Sequence, residues 1–181
     1  RYIFSITTEA GIAYEPGDQL TDAPPKSYPA KLTVLLHERY QAGLGGFVII
    51  PCELIEKNGE KLKEIVLRYA ADWAPDSGFS DWIERENAFC NTLVDRIVTG
   101  YPRDEKIALD YEDNLLDTSE VFHLWVIEGD PSLRRELPFD QVGLNVVWTR
   151  EGLDKYRTRK VRILNGAHTC LLYTSDAAEE L

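Results

Sequence analysis

With 181 residues, 44% of them hydrophobic, the chain is long enough to bury one domain-sized core. Thirty-one acidic residues against 20 basic ones leave a net charge of −11, which argues against nucleic acid as a partner because phosphate binding needs a basic surface. No apolar run approaches the length of a membrane span and no signal peptide is legible, so no membrane partner and a cytoplasmic location are expected.

Residues 2–7 carry the aromatic and β-branched content of a strand. A loop rich in Gly, Pro and Asp follows over 10–28, with Pro24-Pro25 favouring an extended path. A helix is predicted over 29–41, Pro29 suiting its first turn. The glycines at 43–46 precede a strand, whereas a dinucleotide fingerprint follows one and opens a helix, so they read as a helix exit and turn. The continuous apolar run 47–50 then reads as a strand buried on both faces. Asn58-Gly59 opens a second helix, about 59–73, whose inner stripe is Leu62, Ile65, Val66, Tyr69 and Ala70.

A short helix over 80–89, an extended segment over 91–98, and strands at 121–127 and 144–148 come next. A final helix begins at about 154 or 155. Strands alternating with helices predict an α/β domain with a largely parallel sheet. Cys52, Cys90 and Cys170 are odd in number and widely spaced, as reduced thiols in a cytosolic protein would be. His37, His123 and His168 lack ligand-like spacing, and no metal site is expected.

The chemistry concentrates near the C-terminal end, where Lys160, Asn165 and His168 fall at offsets of five and three. On a continuous α-helix they span an arc of roughly 140° over about 12 Å of axis, one face against which a small carbonyl compound or alcohol can lie. A desolvated lysine holds a tunable proton, an asparagine amide can bond a developing alkoxide, and a histidine can orient substrate. The competing reading is a solvated basic face on a surface helix.

This Lys-x4-Asn-x2-His pattern resembles the catalytic signature of the mannitol dehydrogenase family, the long-chain polyol and sugar-acid dehydrogenases. The resemblance continues through residues 7–12, 27–33, 49–55, 66–70, 91–102 and 159–169, and covers residues 1–169. Residues 170–181 depart from it and look like translated adapter sequence, a non-native tail. An opening Arg1 and the lack of any Met add the expectation of an internal piece of a longer protein.

The resemblance implies a fold and an organisation. Residues 1–150 would be the later part of a Rossmann-type NAD-binding domain whose Gly-rich loop lies upstream. Residues 151–169 would be the first helix of an all-α C-terminal domain, with the active site between the two. It also implies roles: Lys160 as general acid/base, Asn165 as donor to the reacting oxygen and His168 as substrate-orienting. A depressed Lys160 pKa is expected from burial beside Arg157, Arg159 and Arg162. Thr8, Glu9 and Cys52 would meet the NAD cofactor. The alternative for the first two is a strand end with turn-forming side chains.

Asp95 and Arg96 would meet substrate, with Asp95 near Lys160; the alternative is a structural ion pair. Many polyol-dehydrogenase relatives carry an asparagine at position 54, where this chain has Leu54, leaving a second oxyanion donor in doubt. Within the family the chain is most similar to the subgroup that interconverts tagaturonate and altronate, and the arginines near Lys160 could attract such an anion or pair with nearby carboxylates. Fructuronate reductases and polyol dehydrogenases are the neighbouring readings. A non-catalytic α/β binding module is the reading from another class, and the 181 residues alone are expected to be inactive. Oligomeric state is not legible.

Overall fold

Two apolar strands organise the molecule. The computed structural model describes residues 1–75, 78–102, 107, 109–167 and 170, with their side chains except those of 164 and 165. Strand β1 (Tyr2–Ser5) is followed by helix α1 (Tyr28–Gln41), strand β2 (Val48–Pro51), helices α2 (Asn58–Trp73) and α3 (Phe79–Glu86), and strand β3 (Ala88–Phe89). β1, β2 and β3 pair in parallel in that order. Side chains of a strand alternate between faces, and β2 uses both. Ile49 packs into a core with Leu36, Leu62, Val66, Tyr69, Phe79 and Ile83 from the three helices, while Ile50 joins Cys90, Ile127 and Leu133.

Beyond Cys90 the chain continues as β4 (Asn91–Asp95), then short strands β5 (Val98–Gly100) and β6 (Thr118–Ser119), then β7 (Leu124–Glu128) and β8 (Val146–Thr149). β4 pairs antiparallel with β7 and β5 antiparallel with β6, while β8 is parallel to β7. The expectation of a largely parallel sheet therefore holds for β1–β3 and for the β7–β8 pair, while β4–β7 and β5–β6 run antiparallel. A parallel neighbour needs a crossover of a dozen or more residues, usually a helix. Among the described residues the chain between β4 and β7 holds the β5–β6 pair and no helix, so it returns in the opposite sense.

Local chemistry explains the boundaries. Ser27 caps α1, its hydroxyl accepting from the Ala30 N–H, with Pro29 in the first turn. Gly43, at φ +65°, lets the chain leave α1 as the sequence suggested. The helix expected to reach residue 89 stops at Glu86, because Asn87 turns extended and its side-chain oxygen accepts the Phe47 N–H at 2.8 Å.

The final helix differs most from expectation. α4 (Leu153–Thr158) passes without a break into a π-helical segment, Arg159–Asn165. α4 is docked by Leu153, which packs with Leu124 and Val126 of β7 and donates its N–H to Glu128 at 3.0 Å. Among the described residues no helix is long and apolar enough to cross a membrane.

Asn58 is sealed from solvent and joins three elements. Its amide nitrogen donates to the carbonyls of Pro51 and Glu53, both at 3.0 Å, and to Thr92; its oxygen accepts the N–H groups of Gly59 and Thr92, both at 2.9 Å. Next to it, a Cβ on Gly59 would lie 2.2 Å from the Cys90 carbonyl oxygen, so the start of α2 can approach β4 only without a side chain there. Asn58→Ala strands buried donors and acceptors on both strands, and a loss of about 3 kcal/mol is expected in urea unfolding. Gly59→Ala should cost about 2 kcal/mol by overpacking, read as a lower midpoint at an unchanged slope.

Candidate active site

The strands deliver their chemistry to one edge. β1, β2 and the β3–β4 run point the same way, so the turns after Ser5, Pro51 and Asp95 emerge together at the carboxyl ends. In open α/β sheets that edge is where ligands bind. The amino ends of β7 and β8 meet it from the opposite direction. Together they form a cleft lined by Ile6, Cys52, Asp95, Arg96, Trp125 and Val146, most of whose wall is apolar.

Glu53 builds the first part of this edge. Only 3% exposed, its carboxylate accepts from the Ser5 hydroxyl at 3.1 Å, the Thr7 N–H at 3.0 Å and the Thr7 hydroxyl at 2.9 Å. It thereby clasps the turn after β1 to the turn after β2. The sequence reading left Glu53 without a role; a carboxylate directly following a buried strand was the signal available. Thr8 adopts a left-handed φ of +77°, and both Thr8 and Glu9 are exposed on the turn that Glu53 holds.

Cys52 lines the cleft, and its thiol lies 3.7 Å from the Ile50 carbonyl. Burial, reinforced by the nearby Glu53 carboxylate, pushes that thiol up to about 11, so at neutral pH it is a neutral contact surface and not a nucleophile.

Lys160 lies over the end of β4, in the π-helical segment that follows α4. Its ammonium donates to the Val94 carbonyl at 3.0 Å and pairs with Asp95, also at 3.0 Å; the two side chains are only 17% and 10% exposed. An ammonium has three N–H donors. Two are spoken for, and the third is available to an oxygen in the clefts that Lys160 borders. One cleft runs past Leu54, Thr92 and Arg157, the other past Asp95, Tyr156 and Arg159. The charge facing the ammonium is thus a carboxylate and not the arginine cluster the sequence suggested. Arg157 pairs with Glu56 at 3.3 Å, and Arg159 lies 5.8 Å from the Tyr156 ring centre.

The structure joins Asp95 to Lys160 and separates it from Arg96, whose Nε donates to the Glu120 carbonyl at 3.2 Å on the surface. An Asp95–Arg96 ion pair is not formed. The side chain of Asn165, and His168 entirely, lie outside the described residues. The backbone at Asn165 still changes their expected relation. In a π-helix the hydrogen bonds span five residues, so positions 160 and 165 sit one turn apart instead of across a wide arc. Leu54 is 59% exposed on the cleft wall and supplies no oxygen donor. Asn58 does not replace it, being committed to the strands.

Known proteins share this architecture. D-sorbitol dehydrogenase in its substrate-free form superposes with a TM-score of 0.69 at 25% identity, over 93% of this chain and 37% of that one. Mannitol 2-dehydrogenase of Pseudomonas fluorescens, solved as a ternary complex with NAD and D-mannitol, superposes at 0.65 with 22% identity, over 93% of this chain and 36% of that one. In sequence, the altronate oxidoreductases of Klebsiella pneumoniae and Cronobacter sakazakii are 57% and 56% identical over 180 residues, 95% of this chain. The chain spans 37% of the length of those relatives. Residues 4–141 match the family described as the mannitol dehydrogenase Rossmann domain. That match, on a sheet whose carboxyl edge carries the paired Lys160 and Asp95, makes this chain a member of the mannitol dehydrogenase family.

Proposed function

We propose that this chain is part of an NAD-dependent oxidoreductase that transfers a hydride between NAD(H) and a sugar acid, interconverting tagaturonate and altronate. The observation that carries the reading is the Lys160 ammonium, fixed by the Val94 carbonyl and the Asp95 carboxylate with a third N–H to spare. The sugar-acid substrate is supported by the names of the altronate oxidoreductases similar to this chain.

The residues fit the cofactor. An apolar-walled cleft at the carboxyl edge, with neutral Cys52 and the Trp125 indole on its wall, suits a flat nicotinamide ring. The exposed Thr8–Glu9 turn lies at the same edge. When bound, NADH supplies the hydride that reaches the substrate carbonyl carbon. Lys160 donates a proton to the carbonyl oxygen as the C–O double bond opens, and regains one from solvent. In the reverse direction neutral Lys160 accepts the alcohol proton.

Asp95 keeps the ammonium over the oxygen and balances its charge between turnovers, which makes it a positioning residue. Asn165 would donate its amide to the same oxygen, whose negative charge is greater in the transition state than in the ground state. His168 would orient substrate hydroxyls, and Arg96 borders the cleft beside Asp95. Residues 151–169 would open a helical domain that closes the site from above, with the Gly-rich pyrophosphate loop upstream of residue 1. On this reading the protein acts in the cytoplasm in hexuronate breakdown, and the 181 residues alone are inactive.

The test uses the whole coding length of the gene that carries this chain and follows NADH oxidation with tagaturonate, fructuronate and fructose. Tagaturonate should be preferred. Lys160→Ala should lower kcat about a thousandfold, and Asp95→Asn about tenfold or more through lost positioning. Preference for fructuronate or fructose would move the substrate to a sister enzyme and keep the mechanism. A folded protein that turns over none of them would remove the enzyme reading and leave an α/β binding module.

A further inference from the structure

We infer that Arg157 recognises the carboxylate of the substrate, exchanging its partner Glu56 for the ligand, and so distinguishes sugar acids from neutral ketoses. The inference rests on the reading of Lys160 as proton donor to the ketone. Arg157 precedes Lys160 by three residues and lines the same cleft, with Leu54 and Thr92. Helical side chains at that spacing are neighbours, with Cβ atoms about 5–6 Å apart. A keto-acid with its ketone near one end and its carboxylate at the other can therefore engage both residues at once.

The charges around this cleft single out Arg157. Glu53 is buried and committed to Ser5 and Thr7, and Lys160 is committed to Asp95 and Val94. Arg157 is held by Glu56 at 3.3 Å, and Glu56 is 63% exposed while the Arg157 side chain is 33% exposed. An ion pair with one member largely in water is easily exchanged. The guanidinium offers five donors in a planar fork that matches a carboxylate in bidentate fashion, and Nη2 is the nitrogen that lies 3.3 Å from Glu56. Leu54, on the same wall, offers no competing acceptor. Arg159, exposed on the other side of Lys160 and near the Tyr156 ring, is the internal control.

The experiment compares Arg157→Gln, Glu56→Gln and Arg159→Gln in the whole-length enzyme, with tagaturonate and fructose as substrates. Arg157→Gln should raise KM for tagaturonate about 100-fold, leaving kcat/KM for fructose within about threefold. Glu56→Gln should lower KM for tagaturonate about two- to fivefold by freeing the guanidinium, and Arg159→Gln should change neither. Equal losses on both substrates for Arg157→Gln, an unchanged tagaturonate KM in both Arg157→Gln and Glu56→Gln, or a selective loss in Arg159→Gln instead would overturn the assignment. The wild type separates the two levels of inference. Fructose turnover without tagaturonate turnover overturns the substrate class and Arg157 with it, whereas tagaturonate turnover insensitive to Arg157 overturns Arg157 alone.

Discussion

The carboxamide of Asn58, shut away from water, holds the site together from below. One side chain satisfies the carbonyls of Pro51 and Glu53 at the end of β2 and both backbone groups of Thr92 in β4, and it starts α2 through Gly59. Buried polar groups are costly unless paired, so the spacing of these strands is set by a network with little freedom to slide. The Thr92 hydroxyl adds a further bond to the Pro51 carbonyl. Two and three residues along β4 from Thr92 are the Val94 carbonyl and Asp95, which fix Lys160; two residues beyond Pro51 is Glu53, which fixes Thr7. The candidate site inherits its geometry from an amide committed wholly to backbone and to Thr92.

Above that edge, the electrostatics are arranged in pairs. Lys160 faces Asp95 and Arg157 faces Glu56, so the two cations that line the Leu54–Thr92 cleft each stand beside a carboxylate. The two pairs differ in shelter. The Lys160–Asp95 pair is mostly buried, where charges are weakly screened and geometry is well defined. The Arg157–Glu56 pair is open to water on the glutamate side, where exchange is cheap. One cation is fixed and the other exchangeable, a difference that matches the chemistry proposed for Lys160 and the recognition proposed for Arg157.

The elements whose causes are local were legible. The apolar run at Ile49 and Ile50, the Asn58-Gly59 start and the glycine exit at Gly43 each carry their reason within a few residues. What was hidden depends on partners far away in the chain. Local sequence offers Arg96 as the partner of Asp95; its place beside Lys160 comes only from the family resemblance, and the structure pairs the two. Glu53 stands in a segment placed at the ligand edge by the strand before it, but its partners Ser5 and Thr7 appear only once β1 is set beside β2. The antiparallel run of β7 goes with a connection that, among the described residues, holds no helix, which strand-like periodicity alone does not reveal. The arc estimated between positions 160 and 165 presupposes α-helical winding, which the π-helical segment Arg159–Asn165 does not have.

That winding has its own implication. A π-helical segment is rare and is held by its surroundings more than by its own backbone. Within this segment the contact reaching across to the sheet is the Lys160 side chain, clasped by Val94 and Asp95. The side chain proposed to move a proton therefore also ties this segment to the sheet. A substitution at Lys160 removes that tie along with the ammonium, so its effect on the proposed chemistry is read together with its effect on the anchoring of the segment that carries position 165.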